Sequence, residues 1–299
     1  MPPHATKEQK IDVTVLVPAY NEELSIKETI LRLQRVLNAI DAVSEIIIVN
    51  DGSTDDTSLI VKKISNVKLI EHAGNRGYGA SLKTGLKAAR GEWVLIVDAD
   101  GTYPIEDFPR FWKERTGYDM VVGARDPKSQ HISWTRKPGK MVLSFLANYL
   151  VGKKIPDLNS GMRLFKKELA MEFYHLYPQG FSFTITITLA SLVNNYEVKY
   201  IPIHYSTRQG KSKMNVIRDG LNFIGLILRV ITYFNPSKLL LPLGTFLILL
   251  GVIVAWYSLT FLGRFMDATV TLLILGGIQV FIFSILAQLI VKTRMMRRD

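Results

Sequence analysis

A mostly parallel α/β sheet followed by a pair of membrane-spanning helices is the fold class this sequence predicts, and three observations carry it. Short β-branched runs alternate with helix-like segments through most of the chain. Polar clusters stand where those runs end. The last stretch, about 60 residues, holds two long segments without a single charge.

Taken in order, Val13 to Val17 is an apolar run that predicts a buried strand, with Pro18, Ala19, Tyr20, Asn21 and Glu22 as the loop after it. A helix is expected from Glu22 to Ile40. Glu45 to Val49 predicts a second strand, ending in Asn50, Asp51, Gly52 and Ser53, and Thr54 to Ser65 a second helix. Val67 to Glu71 predicts a third strand. The Gly-rich segment Gly74 to Gly79 then opens a helix that ends near Arg90 and Gly91. Trp93 to Val97 predicts a fourth strand ending in Asp98, Ala99 and Asp100, and Met120 to Gly123 a fifth. Alternation of this kind builds a sheet covered on both faces, and ligands of such sheets gather beyond the carboxyl ends of the strands. Pro18 to Glu22, Asp51 and Asp98 to Asp100 all fall on that rim.

Asp98 and Asp100 are two residues apart at a strand end, so both side chains can project the same way. A hard cation such as Mg2+ or Mn2+ takes oxygen ligands, few from protein and the rest from phosphates and water. The Gly74–Gly79 loop resembles a dinucleotide fingerprint only superficially, because it follows the third strand. Its glycines still permit close approach of backbone to a ligand.

The carboxyl-terminal stretch reads as membrane. Leu239 to Leu262 and Ala268 to Val291 are each about 24 residues, long enough as helices for a hydrocarbon core of about 30 Å. The short link Gly263 to Asp267 forces a hairpin. Lys238 before the first span and Lys292, Arg294, Arg297 and Arg298 after the second outweigh Arg264 in the link. The positive-inside rule therefore puts the amino-terminal domain and both termini in the cytoplasm. Two further segments suit the headgroup level. Asn215 to Phe234 carries a narrow polar stripe of Asn215, Arg218, Asp219, Asn222, Arg229 and Thr232, and Pro138 to Val151 places Lys140, Ser144 and Asn148 four apart. The same apolar faces would also serve for packing against the soluble domain. Pro236 breaks the chain before the first span. The expected organisation is thus a polar tail over residues 1–11, a soluble domain over 12–214 containing an interfacial helix at 138–151, a second interfacial helix over 215–236, and a hairpin with a basic tail over 237–299.

Composition excludes several classes. The 299 residues contain no cysteine, which rules out disulfides and thiolate metal sites. Net charge is +11, which calls for anionic partners. No zinc-finger spacing or Arg-rich arm is present, so nucleic acid is not expected, and membrane lipid and phosphate ligands are. Met1 to Lys10 is polar and does not read as a signal peptide.

The motifs Val-Pro-Ala-Tyr-Asn-Glu (17–22), Asn-Asp-Gly-Ser (50–53), Asn-Arg-Gly-Tyr-Gly-Ala (75–80) and Asp-Ala-Asp (98–100) resemble those of the family-2 glycosyltransferases of GT-A fold. Gly123 to Arg125, Asp157 to Arg163 and Arg208 to Lys213 are similar to motifs of the dolichyl-phosphate mannose and glucose synthases and their bacterial polyprenyl-phosphate relatives. The resemblance covers about residues 12 to 235 and matches that branch in its two-helix tail.

The resemblance implies an inverting, metal-dependent hexosyltransferase that carries a sugar from a nucleotide-sugar, UDP-glucose or GDP-mannose, to a polyprenyl or dolichyl phosphate at a cell or endoplasmic-reticulum membrane. It implies that Pro18, Ala19, Tyr20, Glu22 and Asp51 hold the base and ribose, with Gly79, Asp98 and Ala99 also against the donor. Asp100 and Asp98 would hold Mg2+ or Mn2+. Where the family often has Gln, this chain has Thr102, whose hydroxyl would be the third ligand. Arg125 and Arg208, with Asp100 and Asp157, are the expected catalytic group. Arg136, Arg163 and Lys213 are assigned to the acceptor phosphate, beside Ser144, Asn148 and Ser160. Asp157 would orient one of the arginines or position the acceptor.

The expected chemistry is direct displacement at the anomeric carbon. A phosphate acceptor is already ionised at neutral pH, its second pKa being about 6, and needs no general base. Thr186 stands where relatives often carry Glu. A neutral-lipid or polysaccharide acceptor, or an inactive scaffold, are the competing readings. A processive synthase is disfavoured because no Gln-x-x-Arg-Trp motif occurs. The sugar and the homo-oligomeric state stay open.

Overall fold

The computed structural model describes residues 10–126, 137–180, 182–205, 225, 227–261 and 266–296. The expectations for Arg136, Arg208, Lys213 and residues 215–224 therefore lie outside the described residues. The chain divides into two compact units, Met1–Phe223 and Ile224–Asp299, a division that falls inside the segment expected as one interfacial helix.

The first unit is built on a seven-stranded sheet: β1 Val13–Ala19, β2 Ser44–Asn50, β3 Lys68–Glu71, β4 Trp93–Ile96, β5 Met120–Arg125, β6 Arg163–Lys166 and β7 Val198–Ile203, in spatial order β3-β2-β1-β4-β6-β5-β7. The helices between them are α1 Ile26–Leu37, α2 Thr57–Lys62, α3 Tyr78–Ala88, α4 Phe108–Glu114, α5 Lys137–Val151, α6 Lys167–Glu172 and α7 Phe183–Val193. β1 sits centrally and is buried along its whole length, so it carries an unbroken apolar run rather than an alternating one. α1 buries Ile26, Thr29, Ile30, Leu33 and Leu37, the i, i+3, i+4 spacing of one helix face. Ile26, Ile30, Leu33 and Leu37 join Val15, Val17, Leu95 and Phe108 in one core. Each fully buried aliphatic side chain contributes about 1.5–3 kcal/mol.

The five strands expected from the sequence are present, and two more complete the sheet. β6 has only two apolar residues between Arg163 and Lys166, too few for a period to show. β7 contains Pro202, which an edge strand tolerates because one row of its backbone needs no partner. β6 runs antiparallel to both β4 and β5, whereas β5 and β7 are parallel. This reversal positions the site. Arg163, at the start of β6, pairs with Ile96 near the end of β4 and with Val122 in β5. The loop before β6 therefore reaches the same rim as the loops that follow β1, β2, β4, β5 and β7.

α5 packs on α7. It buries Ala147 and Leu150 and leaves Met141, Val142, Phe145 and Tyr149 exposed on its outer side.

In the second unit, residues 227–234 are helical, and α8 Ser237–Phe261 and α9 Asp267–Met296 form the hairpin. Small residues set their spacing. A Cβ on Gly277 would lie 2.9 Å from the Gly244 carbonyl oxygen, and the Ser237 hydroxyl meets Gln288 Oε1 at 2.6 Å. Only 11% and 17% of the two apolar windows are buried, which is the reverse of a core helix in a water-soluble protein. Leu272, Phe283, Ile290 and Trp256 all face outward. Such surfaces are stable in lipid and costly in water, so α8 and α9 are candidate membrane spans.

Candidate active site

A cleft of 630 Å³ opens at the rim, within the range of small-molecule sites. Pro18, Ala19, Tyr20, Glu22, Asp51, Asp98, Ala99, Asp100 and Arg125 all line it, so residues expected from separate motifs do converge on one cavity.

The loops after β1 and β2 are laced together. Asn21 adopts a left-handed backbone, φ 54°, which Asn tolerates better than most residues. Its side-chain oxygen accepts from the Thr54 N–H at 2.8 Å, and its own N–H donates to the Ser53 hydroxyl at 2.9 Å. The Glu22 N–H donates to Thr57 Oγ1 at 2.9 Å. Asp51 is 3% exposed and gathers the Gly-rich loop: Oδ1 accepts from the Arg76 N–H at 3.0 Å and Oδ2 from the Gly77 N–H at 2.7 Å. Gly77 has φ +100°, and a Cβ there would lie 2.7 Å from the Gln179 carbonyl, so no other residue would serve. His72 Nδ1 meets Asp51 Oδ1 at 2.7 Å and its Nε2 meets Thr84 Oγ1 at 2.9 Å.

Past β4, the Tyr78 hydroxyl donates to Asp98 Oδ1 at 2.9 Å. Asp98 Oδ2 lies against Gly161, where a Cβ would come within 2.7 Å of it. The Tyr103 hydroxyl, 3.0 Å from the same Cβ position, accepts the Gly161 N–H at 2.6 Å. Burial and the neighbouring Asp98 charge hold both phenols well above their ordinary range, so both keep their protons. Asp100 Oδ1 accepts from the Thr102 hydroxyl at 2.7 Å and from its N–H at 3.2 Å.

Across the cleft, Arg125 at the end of β5 is gripped by Asp157. Nε meets Oδ2 at 2.7 Å and Nη2 meets Oδ1 at 2.9 Å, a bidentate fork, while the Arg125 and Asn159 N–H groups add bonds at 3.2 and 3.1 Å. Burial alone would raise the Asp157 carboxyl. The Arg125 hydrogen bonds and charge outweigh it and hold the group below its usual value. The same pairing outweighs desolvation at Arg125 and raises it. The guanidinium also lies over the Tyr205 ring, 5.4 Å from its centroid, and Tyr205 meets Tyr103 edge-on at 5.1 Å.

Several expectations need correction. Arg163 is fully buried and bonds the Ser160 and Thr184 carbonyls and the Thr188 hydroxyl, so it braces β6 against α7 and meets no acceptor phosphate. Ser160 is also fully buried behind the cleft wall. Asn148 caps the end of α5, accepting the Ile155 N–H at 2.9 Å, and neither it nor Ser144 lines the cleft. Thr102 is 1% exposed and bound to Asp100, so it orients that carboxylate from behind rather than offering a third ligand. Gly79 packs on Pro178 and Gly180; a Cβ would lie 2.3 Å from the Pro178 oxygen, so its role is close packing of α3 rather than donor contact. Asp157 does not line the cleft; of the two roles expected for it, its bidentate pairing fits orienting an arginine, Arg125, rather than positioning the acceptor directly. Tyr78, Tyr103, Asn159, Thr184 and Tyr205 line the cleft without having been assigned roles, and His72 stands behind it. Of these, only Tyr78 and Asn159 lie inside a motif. Tyr103 precedes α4, Thr184 stands in the first turn of α7, Tyr205 follows β7 and His72 follows β3, positions whose sequence carries no local signal.

The donor set suits a divalent cation bound together with a diphosphate. Asp98 and Asp100 supply carboxylate oxygens on one wall, and among the described residues no group of three or more His, Cys, Asp or Glu forms a closed cage. Mg2+ and Mn2+ accept such a site, because water and phosphate complete the shell.

The family model described as glycosyl transferase family 2 matches residues 14–173. A dolichyl-phosphate hexose transferase of Haloferax volcanii is 30% identical over 211 residues, covering 70% of this chain and 89% of the relative. Glucosyl-3-phosphoglycerate synthase from Mycobacterium tuberculosis shares the fold. Its complex with Mn2+, UDP-glucose and phosphoglyceric acid gives a TM-score of 0.60 at 18% identity, covering 74% of this chain and 79% of that one. Its complex with Mg2+ and UDP gives 0.59 at 18% identity, with coverage of 74% and 79%. With strand ends, cleft carboxylates and family model all pointing the same way, the chain belongs to glycosyl transferase family 2.

Proposed function

We propose that this enzyme moves a hexose from a nucleotide-sugar to a polyprenyl or dolichyl phosphate, with inversion, at the cytoplasmic face of a membrane. The observation that carries this reading is the asymmetry of the cleft. Glu22, Asp51, Asp98 and Asp100 all lie on the side of β1, β2 and β4, whereas the side of β5, β6 and β7 presents Arg125, Asn159, Thr184 and Tyr205. Behind that second side stands Asp157, both of whose oxygens are held by Arg125. A hydroxyl acceptor would need a base there. An ionised phosphate needs a cation instead, and the Arg125 guanidinium is one. The family relationship to a dolichyl-phosphate hexose transferase supports the same acceptor.

In this reading Asp98 and Asp100 would hold Mg2+ or Mn2+, which would supply positive charge to neutralise the leaving diphosphate. Tyr78 and Thr102 fix the two carboxylates. Arg125 aligns the lipid phosphate, whose oxygen forms the new bond to the anomeric carbon. The bond from that carbon to the diphosphate oxygen breaks, and the nucleoside diphosphate leaves with the electron pair. No proton moves. The exposed apolar face of α5, with Met141, Phe145 and Tyr149, suits the headgroup region where the lipid arrives. The two spans anchor the catalytic unit, with the domain and both termini cytoplasmic.

Membranes containing the protein, incubated with labelled nucleotide-hexoses and Mn2+, should form a labelled glycolipid only when polyprenyl phosphate is added. Equal labelling of diacylglycerol or of a polysaccharide without polyprenyl phosphate would replace this acceptor by a neutral one.

A further inference from the structure

The nucleotide must run across the sheet from β2 to β4, because the cleft carboxylates stand at the ends of β2, β1 and β4, three neighbouring strands. Strands lie about 4.8 Å apart, so Asp51 is roughly 10 Å from the Asp98 and Asp100 wall, about the length of a nucleoside from base to diphosphate. With the diphosphate at Asp98 and Asp100, Glu22 in between falls to the ribose and Asp51 to the base. This inference rests on the nucleotide-sugar reading of the cleft and goes further, to which base it accepts.

A carboxylate offers about four lone-pair positions. Among the described residues three are filled at Asp51: His72 Nδ1 at 2.7 Å and the Arg76 N–H at 3.0 Å on Oδ1, and the Gly77 N–H at 2.7 Å on Oδ2. Because a carboxylate only accepts, His72 must carry its proton on Nδ1, and Thr84 Oγ1 at 2.9 Å from Nε2 holds the ring in that orientation. The side chains of His72 and Asp51 are 5% and 4% exposed, so water does not compete freely for them. One acceptor position is left, on Oδ2.

Bases differ in what they can bring to one acceptor. Uracil and thymine present a single ring N–H between two carbonyls. Guanine presents two parallel donors, its ring N–H and its amino group, which need both oxygens of a carboxylate. Adenine and cytosine place a ring-nitrogen lone pair beside the amino group, and that lone pair would face Asp51. We propose that His72 is a specificity-determining residue: by filling Oδ1 of Asp51 it leaves one acceptor and restricts the donor to uridine or thymidine diphosphate sugars.

The test is binding by the full-length protein in detergent, followed by calorimetry with UDP, dTDP, GDP, ADP and CDP, each with Mn2+ and without lipid. UDP or dTDP should bind at least about tenfold more tightly than GDP, the scale of one buried donor left unpaired. His72→Ala frees Oδ1 and should shrink the UDP-to-GDP ratio about fivefold or more. His72→Asn, whose amide nitrogen sits where Nδ1 does, should restore it. A purely structural role would lower the melting temperature without moving that ratio. Wild-type protein that binds GDP as tightly as UDP overturns the proposal, as does a folded His72→Ala with the wild-type ratio. If His72→Ala does not fold, loss of the ratio in His72→Asn overturns it. Failure of every diphosphate to bind would sink this proposal and the nucleotide-sugar reading together. Selective UDP binding without transfer to polyprenyl phosphate would leave it standing and remove only the lipid-phosphate acceptor.

Discussion

Arg125 and Asp157 show how one ion pair can be both structural and functional. The side chains are 18% and 7% exposed and paired through two short bonds. Asp157→Ala would leave a guanidinium in a desolvated place without its counter-charge, and removing one partner of a buried pair costs about 3–5 kcal/mol. We expect a loss toward the lower end of that range in denaturant melts, because Arg125 keeps some access to water, with the KM for polyprenyl phosphate rising more than the KM for the donor. The pH dependence follows from the direction of the Asp157 shift. A carboxyl depressed in the folded state contributes stability above its unfolded pKa, about 3.9, and loses it as pH falls through its lower folded value. The rate profile of the wild type should therefore show no inflection from this pair between about pH 5 and 8. On the opposite wall, Asp100→Asn keeps the shape and removes the charge. It should cut the metal-dependent rate by at least about 100-fold and raise the Mn2+ concentration for half-activation.

At the scale of elements, the reversal of β6 decides the site. Because its first residue meets the end of β4 and the middle of β5, the 157–161 loop lies against Asp98 on one side and Arg125 on the other. Gly161 is the tightest point of that contact, with a Cβ position 2.7 Å from Asp98 Oδ2. Gly161→Ala should displace Asp98 by a fraction of an ångström and lower kcat by roughly tenfold or more, with a melting temperature close to wild type. Arg163 anchors the same loop from below, through carbonyls of Ser160 and Thr184. Arg163→Met should instead destabilise the protein by about 2–3 kcal/mol through orphaned carbonyls, which a thermal melt separates from the Gly161 effect.

Across the whole molecule, the hairpin of α8 and α9 exposes Leu272, Phe283 and Ile290 along its length, surface that only lipid covers well. The protein should remain in the membrane pellet after alkaline carbonate extraction. Its orientation is open to direct measurement because the native chain has no cysteine. Asp267→Cys, at the start of α9, should react with a membrane-impermeant maleimide from the non-cytoplasmic side, and Glu28→Cys, on the surface of α1, should react only after the membrane is opened.

Much of this protein was legible in its residues alone. β1, β2, β4 and β5 showed as apolar runs because buried parallel strands are apolar on both faces, and Asp98, Asp100 and Asp51 showed because they follow those runs directly. The two candidate spans showed because each is a long apolar run without charge, the pattern a helix in lipid requires. What a side chain faces is a different matter. Arg163 and Arg125 each end a motif read from the sequence, yet one is fully buried and the other lines the cleft, since the direction in which β6 returns is set by long-range pairing. Thr102, expected as a metal ligand, and Thr186, which stands where relatives often carry Glu, are both buried, each spent on a neighbour two or four residues away. The contact of His72 with Asp51 joins two strands that pair across 21 positions of chain. Local pattern carries burial and chemistry at strand ends; which groups meet depends on how the sheet is ordered, and no local pattern encodes that order.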